Sequence, residues 1–169
     1  MSKWSTRQIA TAAIIAALYT VMSLLSSIFG LTYGPIQCRF SEALCVLPFF
    51  LPETAWGLGV GCLIANLLSP YGVLDIVVGS AATLLAALLT ARCQKKWLAP
   101  LPPVIANTVL IGLVLAYEQA GTSAAFWPTY AFNALTVGLG EAVACYGLGG
   151  LLLWRLDKSN ALQHYLQNR

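Results

Sequence analysis

The sequence predicts an all-α integral membrane protein with six transmembrane helices in one bundle. Three observations predict this fold class: 59% of the 169 residues are hydrophobic, only 9% are charged, and the mean hydropathy is +0.76. Nine Lys and Arg with six Asp and Glu are too few to cover a soluble core of this size. We therefore expect the bilayer to be the solvent and residues 1–169 to form a single membrane domain.

Six apolar segments predict the helices in order. The first, 9–29, carries no charge and exceeds the roughly 7–15 residues of a signal-peptide core, so we expect a retained span. The second and third, about 41–51 and 54–68, are shorter than the roughly 20 residues of a straight crossing. They are expected to be tilted partial helices or a re-entrant pair, surrounded by protein. The others lie at about 74–91, 99–117 and 129–154, separated by turn signals.

The basic residues predict the orientation. Lys3 and Arg7, the cluster 92–96 and the tail from about residue 155 fall on one side of six crossings. The positive-inside rule makes that side cytoplasmic, so both termini are predicted to lie inside the cell. Arg39 is then the one basic residue on the outer side. No basic stripe exists, which argues against a nucleic-acid partner.

Motifs for metal binding and catalysis are missing from the sequence. The five cysteines form no CxxC pair, and the single histidine, His164, lies in the polar tail; the cysteines are therefore expected to be small packing residues. HExxH, GxSxG and Walker motifs are absent, so we expect neither an enzyme nor ATP hydrolysis by this chain. No internal repeat is visible, which argues against a complete secondary transporter.

Polar residues of the apolar segments gather in the predicted outer half of the bundle. A charge at membrane depth costs roughly 2.5–3.5 kcal/mol on insertion scales, so each needs a partner or a function. Aromatic walls with a few placed polar groups are usual for sites that bind small molecules. We therefore predict an outward-opening pocket for a planar molecule. Its candidate substrate-binding residues are Arg39, Glu42, Asn66, Asp75, Glu118, Trp127, Tyr130, Asn133 and Glu141, and its further aromatic neighbours are Tyr33, Tyr71, Tyr117 and Phe126.

Several of these residues also have a purely structural interpretation. Arg39 and Glu42 could form a local i,i+3 ion pair, Asp75 could cap the fourth helix, and Glu118 could be a solvated interfacial residue. Tyr and Trp near helix ends often belong to an interfacial belt. Glu141 is the hardest to explain structurally, because it lies well inside an apolar span.

Small residues give the first helix a flat face. In "IATAAIIAALYT", two overlapping pairs with small-xxx-small spacing occur, Ala12/Ala16 and Ala13/Ala17. Such pairs allow close helix contact. They predict either packing within the chain or docking of a partner subunit.

The stretch 33–91 resembles a known family. Its pieces "GPIQCRFSEAL", "VLPFF", "GLGVGCLIANL" and "LDIVVGSAATLLAA" are similar to the QueT family, the substrate-binding (S) components of energy-coupling factor (ECF) transporters for queuosine precursors. They cover about a third of the chain; after about Lys96 the similarity is mainly one of pattern. The resemblance implies a bacterial cell-membrane subunit that binds a vitamin-like compound from outside. It would dock its alanine face on a transmembrane coupling protein with two cytosolic ATPases. ATP belongs to those partners, so no cofactor is expected here.

The implied ligand is a deazaguanine base or nucleoside. A carboxylate can accept two hydrogen bonds from a guanine-type edge, and an aromatic ring can stack on the base. We hypothesise that Glu141 or Glu118 binds this edge and that Asp75 or Glu42 meets the cationic exocyclic amine. Asn66 and Asn133 would add donors and acceptors, and Trp127 or Tyr130 would stack. The alternatives are an S component for another vitamin-like compound, or a self-sufficient small-molecule transporter.

Overall fold

A computed structural model describes residues 4–32, 38–69 and 72–167, and over these residues the protein is all-helical, without a strand. We number seven helices in chain order, and a short 3₁₀ turn, Lys96–Leu98, leads into the fifth. The helices are α1 (Thr6–Ile28), α2 (Phe40–Phe49), α3 (Thr54–Asn66), α4 (Gly72–Thr90), α5 (Leu101–Ala120), α6 (Phe126–Asp157) and α7 (Asn160–Gln167).

Four helices are long and apolar enough to cross a membrane: α1, α4, α5 with its leading turn, and α6. The short apolar helices α2 and α3 occur where the sequence predicts them. The predicted count of six helices is not confirmed, because α7 forms in the segment expected to be a polar tail. This helix packs back on α1, where the hydroxyls of Tyr165 and Thr11 lie 3.2 Å apart.

Helix α2 is a ten-residue 3₁₀ helix inside the bundle. It begins after Arg39, whose backbone is extended, and it contains Pro48. Eight of its ten residues are buried, Ser41 to Pro48, against α1, α4 and α6. A 3₁₀ helix of this length is uncommon. Burial by neighbouring helices agrees with the expectation that protein surrounds this Pro-broken segment.

Helices α1 and α3 pack at backbone contact distance. A Cβ atom at Gly57 would lie 2.2 Å from the carbonyl oxygen of Ala12, and one at Gly61 would lie 2.6 Å from that of Ala16. One of the two alanine pairs therefore serves packing within the chain. The other pair, Ala13 and Ala17, is exposed on α1.

Replacing Gly57 with Ala is expected to lower the free energy of unfolding by about 1–3 kcal/mol, the usual cost of overpacking a tight contact. The measurement is thermal unfolding in detergent. The control is Gly147→Ala, where an added Cβ meets no atom within 4 Å; both variants share the gain in helix propensity that alanine brings. Equal melting temperatures for the two variants would show that the contact between α1 and α3 is not tight.

Two of the long helices contain a π-helical segment beside the polar residues of the bundle. In α4 the segment is Asp75–Gly79, and in α6 it is Val143–Gly149. A π turn holds one residue more than an α turn, so it rotates the side chains that follow it. Such segments are often found at functional sites. Here Asp75 begins the first segment, and Glu141 lies two residues before the second.

Candidate functional site

A buried polar cluster lies where α1, α2, α4, α5 and α6 meet. It surrounds a pocket of about 10 Å³, which is roughly the space of one water molecule. The pocket is lined by Arg39, Glu42, Gly79, Thr83, Asn107, Ile111, Val137 and Glu141. Three of the five charged candidates, Arg39, Glu42 and Glu141, therefore share one small space.

Arg39 is held by α3 and α4. Its Nη1 donates a hydrogen bond to Asn66 Oδ1 at 3.2 Å, and its Nη2 lies 3.8 Å from Asp75 Oδ2. The amide of Asn66 in turn donates to the backbone oxygen of Asp75 at 3.1 Å, and the Ser69 hydroxyl donates to the Asp75 carboxylate. Arg39 thus pairs across the bundle, and the local ion pair with Glu42 that the sequence allows is not the one that forms.

Glu42 and Glu141 share an amide donor. Asn107 Nδ2, on α5, lies 2.9 Å from Glu141 Oε1 and 3.5 Å from Glu42 Oε2. Tyr19, in the middle of α1, donates its hydroxyl to Glu42 Oε1. Glu42 is 1% exposed and Glu141 is 7% exposed, so both carboxyl groups are removed from water.

Two thiols complete the contacts of these carboxyl groups. Cys45 donates to Glu42 Oε2 at 3.1 Å, and Cys145 lies 3.6 Å from Glu141 Oε2. Among the described residues, the hydrogen-bond donors to both acids are therefore neutral groups. A buried carboxylate is costly unless it is paired, and here two acids face the single positive charge of Arg39 on the same pocket wall. The arrangement can accept hydrogen bonds from N–H groups and favours a positively charged ligand group beside it.

Six of the nine predicted site residues do not line this pocket. Asn66 and Asp75 lie next to it through their contacts with Arg39, whereas the other four lie apart from it. Glu118 is exposed near the C-terminal end of α5, and Trp127 is 69% exposed and meets the Tyr130 ring edge-on at 6.1 Å. Asn133 is buried, but its amide donates to Gln119 Oε1 at 3.1 Å. Their contacts with a ligand remain predictions. Tyr33 and Tyr71 lie outside the described residues.

The candidate list from the sequence lacked several residues of the cluster. Tyr19 and Asn107 were missing, as were Thr83 and the two thiols. Tyr19 and Asn107 did carry a signal, since a polar side chain in the middle of an apolar span needs a hydrogen-bond partner. Nothing in the sequence distinguishes Cys45 and Cys145 from cysteines that serve only packing.

Comparisons with known proteins agree on one family. The sequence profile of the QueT transporter family matches residues 9–158. "Queuosine precursor transporter QueT" of Lactococcus lactis subsp. cremoris (strain MG1363) is 39% identical over 101 residues, which are 57% of this chain and 59% of that protein. The match thus spans about three fifths of the relative's length. No solved structure matches. With nine-tenths of its length matched by the profile and four helices able to cross a bilayer, this multi-pass membrane protein belongs to the QueT transporter family.

Proposed function

We propose that this chain is the substrate-capture S component of an ECF-type transporter. It binds a queuosine precursor from outside the cell, and a partner module imports the ligand with ATP. The observation that carries the proposal is the buried Glu42–Asn107–Glu141 array beside a pocket, in a member of a transporter family. The printed name of the Lactococcus relative supports the choice of ligand.

The array suits both ends of a deazaguanine. One carboxylate can accept two charge-assisted hydrogen bonds from the N–H and NH₂ groups of the guanine-type edge. The second carboxylate can pair with the cationic exocyclic amine. Since Glu141 and Glu42 line the pocket and Glu118 does not, we assign the edge to Glu141 and the amine to Glu42. Asp75 is engaged with Arg39 and holds that guanidinium at the pocket wall.

The described conformation is a closed one. Sites for small molecules commonly enclose about 300–1,000 Å³, whereas this pocket holds about 10 Å³. The planar, bicyclic ring of a deazaguanine therefore enters only when the lining helices separate. The N-terminal end of α2 carries Arg39, which lies on the pocket wall. Movement at this end would open the pocket toward the predicted outer side.

The proposal is tested by calorimetric titration of the purified, folded chain in detergent. The probes are 7-aminomethyl-7-deazaguanine, its neutral 7-cyano analogue, queuine and guanine. Submicromolar binding of an amine-bearing deazaguanine, with guanine much weaker, is the expected result. Equal binding of the cyano and aminomethyl compounds would contradict the role of Glu42 but keep the deazaguanine site. If none of the four binds, the proposed ligand is wrong.

A second measurement separates the S component from a self-sufficient transporter. Liposomes that contain the chain alone are expected to show ligand binding without accumulation of ligand inside. Uptake into these liposomes, above that of liposomes without protein, would contradict the dependence on a partner module. The exposed pair Ala13 and Ala17 is the proposed contact for the coupling protein, since Ala12 and Ala16 are occupied by α3.

Two native cysteines report the orientation of the chain. Cys38 and Cys93 are half-buried, whereas Cys45, Cys62 and Cys145 are buried. In intact cells, a membrane-impermeant maleimide is expected to label Cys38, on the proposed outer side, and to label Cys93 only after the cells are opened. Single variants Cys38→Ser and Cys93→Ser assign the signal. Labelling of Cys93 alone in intact cells would reverse the proposed topology.

The labelling depends on pH in a known direction. Burial raises the pKa of both thiols, and at Cys38 the negative charge of Glu141 raises the pKa further. Because the thiolate is the nucleophile, reaction is slow at neutral pH and becomes faster as the pH rises. Labelling is therefore measured at about pH 8.5, near the ordinary thiol pKa, and a bound ligand is expected to slow it at Cys38 but not at Cys93.

A further inference from the structure

A second site lies at the other end of the bundle, between the start of α5 and the end of α6. There an apolar groove of about 240 Å³ opens on the surface. Its walls are mainly apolar and aromatic, and its rim carries the ion pair of Lys96 and Asp157, 2.6 Å apart. The lining residues are Lys96, Trp97, Pro100, Tyr146, Gly150, Leu153, Trp154 and Asp157. None of them belongs to the proposed precursor site.

The rim of the groove is basic and aromatic. Arg155 and Lys158 both lie over the Trp154 ring, at 5.6 and 4.1 Å from its centre. Trp97 is 65% exposed and Trp154 is 52% exposed, in positions typical of a membrane–water interface. Of the basic residues, Lys96 lines the groove, and Arg155 and Lys158 lie next to it on the ring of Trp154. Asp157 is the acidic residue that lines the groove with Lys96.

We infer that this groove binds one anionic phospholipid of the inner leaflet. An acyl chain lies along the apolar wall between α5 and α6, and the phosphate meets Lys96 and its basic neighbours at the rim. Charge complementarity selects this occupant, because basic pockets between membrane helices on the cytoplasmic side attract anionic head groups. The apolar wall distinguishes this site from a site for free phosphate, because free phosphate has no apolar part that could pack against the wall.

A glycine on the groove wall allows a clean test. A Cβ atom added at Gly150 meets no atom within 4 Å, and the same holds at Gly147, which does not line the groove. Because Gly150 lines the groove and its Cβ position is open, Gly150→Leu is expected to project into the groove and fill part of it, and Gly147→Leu is its matched control on the same helix. The protein is reconstituted with equal amounts of phosphatidylglycerol and phosphatidylcholine, and the lipid that stays bound in detergent is counted by native mass spectrometry.

The wild type and Gly147→Leu are expected to retain one phosphatidylglycerol several-fold more often than one phosphatidylcholine. Gly150→Leu is expected to lose this retained lipid, and Lys96→Gln is expected to lose the preference for the anionic head group. Arg7→Gln, on α1, controls for a general loss of positive charge.

Equal retention of both lipids by the wild type, or unchanged retention by Gly150→Leu, would overturn the inference. A chain dimer, or a partner-subunit complex, that Gly150→Leu abolishes while the bound lipid remains would assign the groove to a polypeptide instead.

Discussion

Replacing Glu141 with Gln is expected to weaken binding of 7-aminomethyl-7-deazaguanine by roughly 10- to 100-fold. The carboxylate is buried, and it lines the pocket beside Asn107. Hydrogen bonds to a charged group contribute about 1.5–3 kcal/mol, and each 1.4 kcal/mol is tenfold in affinity. Gln keeps the size of the side chain and an acceptor for Asn107, but it removes the charge and one acceptor for the guanine-type edge.

The matched control is Glu118→Gln, the same change on an exposed residue of α5. Calorimetry on both variants decides between the two acids that the sequence offers for this role. Glu118→Gln is expected to bind as the wild type does. A loss of affinity in Glu118→Gln with wild-type affinity in Glu141→Gln would place the ligand away from the pocket, near the C-terminal end of α5. Thermal unfolding of each variant checks that the fold is intact.

Replacing Arg39 with Gln is expected to lower the free energy of unfolding by about 3–5 kcal/mol, the usual result of removing one partner of a buried ion pair. Asp75 is 2% exposed and would lose the cation with which it is paired. Among the described residues, its carboxylate would retain the hydroxyl of Ser69 as a side-chain donor. Thermal or denaturant unfolding in a fixed detergent measures the loss.

The double variant Arg39→Gln/Asp75→Asn tests the cause of this loss. If the unpaired carboxylate is responsible, the second change restores part of the stability, and the double-mutant cycle shows a clear interaction energy. Strict additivity of the two single changes would mean that the pair is not coupled. Binding by the folded Arg39→Gln protein completes the test: an unchanged ranking of the four probes would give Arg39 a structural role only.

The fold could be predicted from the sequence because the length of an apolar run is set by the bilayer. Helix α4, predicted at about 74–91, runs from Gly72 to Thr90. The two short segments also appear where Pro48 and Pro52 indicate them. Helix α7 could not be predicted in this way, because it is short and polar. Its contact with α1, between the hydroxyls of Tyr165 and Thr11, appears only in the structure.

The polar cluster was predicted in part, and its role in ligand binding stays a prediction. Charges in apolar segments need partners, and this argument found Arg39, Glu42, Asn66, Asp75 and Glu141, which the structure brings together. The sequence gives the depth of a residue along its helix but not the direction in which it points. Asn107 and Glu118 lie on the same helix, yet only the first faces the pocket. The π segment in α6 adds an extra residue to a turn, which no periodicity in the sequence reveals.

The glycine contacts of α3 have a mechanical consequence. Because α3 packs against the α1 backbone at Ala12 and Ala16 with no room for a side chain at Gly57 or Gly61, we expect the two helices to move together. The same α1 carries the exposed Ala13 and Ala17 on one side and Tyr19, which holds Glu42, on the other. A partner protein that binds the exposed alanines and tilts α1 would therefore move Tyr19, and with it the Glu42 carboxylate that is proposed to pair with the ligand's amine. If partner binding changes the affinity for the ligand, thermodynamic linkage requires that the ligand changes the affinity for the partner by the same factor.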